Sequence, residues 1–142
     1  MKTKLIVKKL TKKYSSNDPF TLAAALGITI IYRPLGKTIG FCLTYKREKI
    51  IVINNFCPEE LIKFAIAHEL GHALLHKSIN TQFLSTHTFF SVDRIEREAN
   101  KFAVELLLPD EVVKDHQDMN CYDLARCYGV PEGLQYLKEV DI

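Results

Sequence analysis

His68-Glu69-Leu70-Gly71-His72 lies in the middle of a long apolar run, and its reading decides the fold. On an α-helix, residues four apart stand about 40° apart in azimuth and about 6 Å apart along the axis. His68 and His72 therefore reach one metal ion from one face. Glu69 stands about 60° round from His72, where it can take the proton of an attacking water. Two imidazoles for a metal and a carboxylate for a base, at that spacing, carry the chemistry of zinc-dependent peptide hydrolysis.

The surroundings sharpen the signal. Pro58 suits the first turn of a helix, and Glu59 and Glu60 suit its positive end. From residue 61 to residue 75, only Lys63 and the motif's own polar groups interrupt Leu, Ile, Phe, Ala and Gly. A helix apolar nearly all round is a buried one. A carboxylate and two imidazoles are costly to bury unless they are paired or bind a metal. The bland alternative is a core helix whose histidines bond to their neighbours.

Catalytic zinc usually has three protein ligands, with the fourth position open. His76 continues the i, i+4 series but lies two turns, about 12 Å, from His68, too far for bonds of about 2 Å to one ion. It suits the negative helix C-terminus instead, as does Lys77. A third histidine ten residues after the first would fall on Ser78, so that extended pattern fails. The next helix, predicted over 94–108, offers Glu96 and Glu98. Asp93 can cap it, with Glu96 three residues on, and Pro109 stops it. At 100° per residue Glu96 falls among Ala99, Ala103 and Leu107, in the apolar stripe. Glu98 falls with Arg94, Lys101 and Glu105 on a charged, solvated edge. Glu96 is the expected ligand and Glu98 the alternative; Asn100, one turn beyond Glu96, can orient a ligand. For Glu96 the bland role is a capping-box acceptor.

Residues 68–76, His-Glu-Leu-Gly-His-Ala-Leu-Leu-His, precede Glu96-Arg97-Glu98-Ala99-Asn100-Lys101-Phe102-Ala103 and Leu106-Leu107-Leu108-Pro109. In combination they resemble the ImmA/IrrE family of metallopeptidases. Asp18-Pro19-Phe20, Gly40-Phe41 and Ile51-Val52-Ile53-Asn54 resemble that family's N-terminal part, so the likeness covers roughly residues 15 to 110. It implies a zincin-like core, similar to that of gluzincins, with Glu96 as third zinc ligand and Asn100 beside it. It also implies a cytoplasmic, often phage-borne protease that cleaves helix-turn-helix repressors and derepresses genes. Leu108 stands where the family usually has Met. The short chain looks closer to the ImmA type than to the IrrE type with its extra sensor-like domain.

The rest of the chain fits one α+β domain over residues 1–142, long enough for a single core. Asp18-Pro19 opens a helix over 20–26 that Gly27 ends. Residues 28–33 read as a strand, followed by a turn at Pro34-Leu35-Gly36. Ile39, Phe41, Leu43 and Tyr45 alternate as a second strand. After a turn over 46–49, residues 50–53 form a third strand, antiparallel to the second and covered on both faces. The expected sheet is therefore three-stranded and mainly antiparallel, packed on the zinc helix and the glutamate helix. An exposed edge of it beside the metal would accept a substrate peptide as an added strand.

Residues 79–91 join the two helices and hold Phe83, Leu84, His87, Phe89 and Phe90. They read as a covering loop or as a pocket wall in which His87 assists the transition state. Residues 110–142 are expected as a helical extension, with helices over 110–116, 122–128 and 132–140. The last two, parted by Gly129-Val130-Pro131, resemble a helix-turn-helix. Residues 132–140 carry one lysine, Lys138, against two glutamates, so DNA reading is not expected of them.

Net charge is +2. Residues 1–13 hold six lysines and no acid, which leaves 13 basic against 17 acidic residues elsewhere, or −4. That basic stretch reads as a short helix with Val7, Leu10 and Tyr14 on one side and a solvated lysine face; contact with DNA beside a bound substrate is the sharper alternative. Cys42, Cys57, Cys121 and Cys127 have no C-x-x-C spacing and no export signal precedes them, so reduced thiols in the cytoplasm are expected. An inhibitory Cys57 thiolate on the metal is a further alternative. No apolar run reaches membrane-spanning length.

The function these readings imply is a zinc metallo-endopeptidase acting on a helix-turn-helix repressor. A non-catalytic, zinc-stabilised protein-binding or DNA-binding regulator is the alternative. Glu69 favours the enzyme, because a structural site closes its fourth position and needs no base.

Overall fold

The computed structural model describes residues 2–78, 80–81 and 93–140. Helices α1 (Lys2–Tyr14) and α2 (Pro19–Ala25) precede three strands, β1 (Thr29–Arg33), β2 (Gly40–Tyr45) and β3 (Glu48–Asn54). Helices α3 (Glu59–Leu75), α4 (Arg94–Leu107), α5 (Asp110–Asp115) and α6 (Cys121–Cys127) follow, then a 3-10 turn at Gln135–Leu137. The helix over 20–26 is present as α2: Asp18 accepts from the Thr21 N–H and Pro19 opens the first turn. Gly27, at φ +72°, turns the chain into β1.

The sheet order is β1-β3-β2. β2 and β3 pair antiparallel as expected, through a turn that needs only Lys46 and Arg47, both with positive φ. β1 pairs parallel to β3, so the sheet is mixed rather than mainly antiparallel. The physical reason lies in β3. Ile51, Val52 and Ile53 are all buried, and a run apolar on both faces belongs in the centre, between two partners. β1 then takes the far edge, and residues 34–39 carry the chain past the end of β3. Asn54 holds that crossing, its Nδ2 donating to the carbonyls of Gly36 and Thr38 at 2.9 Å each.

One side of the sheet lies on α3, whose other side packs most extensively against α4; α1 packs on α4 in turn. Every residue of α3 from Phe64 to Ala73 is buried, as its all-round apolar pattern requires. Gly71 makes the close approach to α4 possible: a Cβ there would stand 3.1 Å from Phe102 Cβ. The covered face of β2 differs from its apolar alternation. Gly40 and Cys42 are buried, whereas Phe41 and Leu43 are only partly so. Alternate residues face opposite sides, and position 40 admits no side chain: a Cβ there would come within 2.8 Å of the Val52 carbonyl and 2.9 Å of Ile53 Cδ1, both on β3.

The basic N-terminal helix is not a fully solvated face. Val7 is buried, with Leu10 and Tyr14 packed at the edge of the core. Lys4 is buried too, 2.9 Å from Asp110 and bonded to the Glu139 carbonyl. Residues 132–140 do not form the expected helix. After Pro131, Gly133 adopts φ +96°, and the chain runs back over α4. There Lys138 donates to Glu105 and Asp110, both at 2.8 Å, and the Glu139 N–H to Glu105 at 2.8 Å. The helix-turn-helix likeness therefore fails, and Glu105, expected on a solvated edge, is buried beneath this segment. No helix among the described residues is long and apolar enough to cross a membrane.

Candidate metal centre

The long α3 presents His68, Glu69 and His72 from its buried middle, and the first turn of α4 presents Glu96 to them. Nε2 of His72 lies 2.6 Å from Glu96 Oε1, and Nε2 of His68 lies 3.5 Å from Glu96 Oε2. One ligand atom from each of His68, His72 and Glu96 falls within 4.8 Å of the others. The two imidazoles meet edge to face, with centroids 4.8 Å apart and planes at 84°. Glu69 is equally buried, its Oε2 4.0 Å from His68 Nε2. Asp93 occupies the N-cap of α4 without a capping bond from its side chain, and Glu96 faces the histidines.

The donor set fits a divalent transition metal. Two imidazole nitrogens and one carboxylate is a set that suits zinc. The ring nitrogens facing away from the cluster are engaged. His68 Nδ1 lies 2.7 Å from Asn100 Oδ1, the orienting contact expected of Asn100. His72 Nδ1 lies 2.9 Å from His76 Nδ1. Burial pulls the His72 pKa below its ordinary value, with the hydrogen bond to Glu96 acting in the opposite direction. A neutral imidazole is the ligating form.

Glu98 points elsewhere. Its Oε1 lies 3.3 Å from His76 Nε2 and 3.5 Å from the exposed Arg94. His76 thus touches both helices, a role not anticipated from its place at the helix end. Gly40 lies over the stem of Glu69, whose Cγ would be in ordinary contact at 3.7 Å with a Cβ there, a neighbourhood its sequence position does not reveal. Cys42, beside Gly40, stays a thiol, because burial first and the Glu69 charge second push it up to about 12 against the pull of Lys49. Cys57 precedes α3 and is not part of the cluster.

Among the described residues, β2 is the sheet edge beside the site. Beyond Gly40, the Cys42 N–H donates to Thr81 Oγ1 at 2.7 Å, Thr81 donates to the Cys42 carbonyl at 3.1 Å, and the Thr44 N–H donates to Asn80 Oδ1 at 2.9 Å. His87 and the aromatic residues near it lie outside the described residues.

Mixed sheet, buried motif helix and a His-His-Glu cluster shared by two packed helices together describe a small α+β protein with a group of side chains able to hold a metal ion. The chain belongs to the peptidase family described as the IrrE N-terminal-like domain, whose model matches residues 23–135. Over 140 residues it is 44% identical to Uncharacterized immunity region protein 2 of Bacillus phage phi105, covering 96% of this chain and 89% of the relative. It is 31% identical over 131 residues to Metallopeptidase ImmA of Bacillus subtilis, covering 88% of this chain and 76% of that one. A 94-residue stretch is 33% identical to Radiation response metalloprotease IrrE of Deinococcus deserti, covering 63% of this chain and 32% of that one.

Proposed function

We propose that this chain is a zinc-dependent metallo-endopeptidase of zincin-like design, acting in the cytoplasm on a helix-turn-helix repressor of a phage or mobile element. The observation that carries the reading is the buried cluster of His68, His72 and Glu96 with Glu69 beside it. Family membership supports peptide hydrolysis, and the phage relative's immunity-region name supports a repressor as substrate.

In this reading His68, His72 and Glu96 hold the zinc and Glu69 is the catalytic base. When bound, the metal supplies a Lewis acid that activates water and polarises the scissile carbonyl. Glu69 accepts the proton of the attacking water and delivers it to the leaving amine. Its burial keeps bulk water from competing for that proton. Asn100 holds the His68 ring, and Gly40 lets the edge of the sheet lie close over Glu69. An extended peptide added beside the Gly40 end of β2 would bring its carbonyl to the base through backbone hydrogen bonds.

The test is incubation of the zinc-loaded chain with purified helix-turn-helix repressors of phage immunity regions, read by mass spectrometry. Wild type should produce one defined cleavage. Glu69→Gln should retain one equivalent of zinc and produce none. Undiminished cleavage by Glu69→Gln removes the base assignment. Binding of the repressor without cleavage by the zinc-loaded wild type returns the protein to the non-catalytic class.

A further inference from the structure

His76 is 9% exposed and has a partner at each ring nitrogen, one on α3 and one on α4. On the α3 side its Nδ1 lies 2.9 Å from His72 Nδ1. Two ring nitrogens at that distance share a single hydrogen, so one donates and the other accepts. On the α4 side its Nε2 lies 3.3 Å from Glu98 Oε1. An ionised carboxylate only accepts, so the hydrogen of neutral His76 sits on Nε2 and its Nδ1 is a lone pair. The shared hydrogen then belongs to Nδ1 of His72. With a metal held at the centre, that leaves Nε2 of His72, the atom that otherwise hydrogen-bonds Glu96, as the ligating lone pair. Asn100 Oδ1 at His68 Nδ1 has the same consequence on the other ring.

We infer that Glu98 and His76 form a two-bond relay that fixes His72 as its Nδ1–H tautomer and aims its Nε2 at the metal centre. His76 is therefore a positioning residue, and Glu98 its anchor. The inference rests on the metal-centre reading above. A chain running from carboxylate to imidazole to imidazole polarises each bond by the next, and a ligand whose far nitrogen donates to such an acceptor is a stronger base. The relay also ties the last turn of α3 to the first turn of α4. Glu96 and Glu98 then serve one centre from the same turn, Glu96 directly and Glu98 through two rings. Arg94, 84% exposed at 3.5 Å from Glu98, adds little to it, as expected of a solvated pair.

The experiment is chelator competition for zinc on the full chain, with histidine-selective 15N NMR of the zinc-loaded protein. His76→Phe keeps the ring's bulk and removes both bonds. It should weaken zinc binding by about 10- to 100-fold and abolish the slowly exchanging Nδ1 proton of His72. His76→Gln, which can accept and donate, should recover most of the loss. Glu98→Gln should stay near wild type because its amide oxygen still accepts, whereas Glu98→Ala should bind several-fold more weakly. Zinc affinity of His76→Phe within about twofold of wild type, with the His72 proton unchanged, overturns the relay. Should His76→Phe fail to fold by circular dichroism, Glu98→Ala decides, since it alters a half-exposed carboxylate; wild-type affinity there overturns the relay equally. A wild-type chain that takes up no zinc removes the metal centre itself, an outcome distinct from either.

Discussion

Nε2 of His72 stands 2.6 Å from Oε1 of Glu96, with both side chains wholly buried and contributed by different helices. The contact is reached because α3 and α4 pack closely at Gly71 and Phe102. It is the geometric basis for reading Glu96, and not Glu98, as the third ligand.

Metal content separates the two glutamates. After dialysis against zinc and removal of the excess, elemental analysis should find about one zinc per chain in the wild type. His72→Ala and Glu96→Ala should retain well under half of it. Glu98→Ala should still reach one equivalent at saturating zinc, because it loses only an indirect partner. Full zinc in Glu96→Ala would contradict the assignment.

Gly40→Ala should be destabilising although alanine is ordinarily the better strand residue by about 0.5–1 kcal/mol. The new Cβ would meet the Val52 carbonyl at 2.8 Å and Ile53 Cδ1 at 2.9 Å, with the Glu69 stem at 3.7 Å. Strain of about 1–3 kcal/mol outweighs the entropic gain, as urea unfolding would show. A more stable Gly40→Ala protein would mean that β2 moves freely.

Asp110→Asn tests the charged cluster behind α4. Burial raises the Asp110 pKa, but hydrogen bonds from Lys138 and Lys4 outweigh burial and hold the carboxyl far below its ordinary range. A depressed carboxylate pKa contributes stability above the unfolded-state pKa, and that contribution is lost as pH falls towards the folded-state value. At pH 7 Asp110→Asn should therefore cost about 3 kcal/mol, the lower end of the range for removing one partner of a buried ion pair. The gap between variant and wild type should narrow as pH falls below the ordinary carboxylate range. A gap independent of pH would assign the loss to packing.

Thiol labelling reads the burial of the cysteines. Cys121 and Cys127 are exposed, Cys57 is half-buried with its pKa raised by burial and by Glu60, and Cys42 is buried with its pKa at about 12. At neutral pH a thiol reagent should modify Cys121 and Cys127 first and Cys57 more slowly. Cys42 should react only on unfolding, since the thiolate is the nucleophile. Early modification of Cys42, located by peptide mapping, would show that β2 opens away from α3.

Sequence alone determined what depends on local periodicity. Residues 61–75 read as a buried helix, because apolar side chains occupy nearly every face of it, and i, i+4 spacing then sets His68 and His72 side by side. The same 100° step put Glu96 on the inward stripe of α4 and Glu98 at its edge. The unbroken apolar run of β3 announced a strand covered on both faces. Tertiary structure decided what depends on partners remote in the chain. The parallel pairing of β1 with β3 follows from which strand takes the centre. Gly40 and Cys42 take the buried face of β2, with β3 leaving no space for a side chain at position 40, which the alternation of Phe41 and Leu43 could not reveal. Residues 132–140 have the composition of a short helix, yet Gly133 and the bonds of Lys138 and Glu139 to Glu105 and Asp110 hold them against α4. His76 looked like a helix-end charge until α4 brought Glu98 against it. A hydrogen bond needs both partners within about 3.5 Å, and for residues on different helices only packing sets that distance.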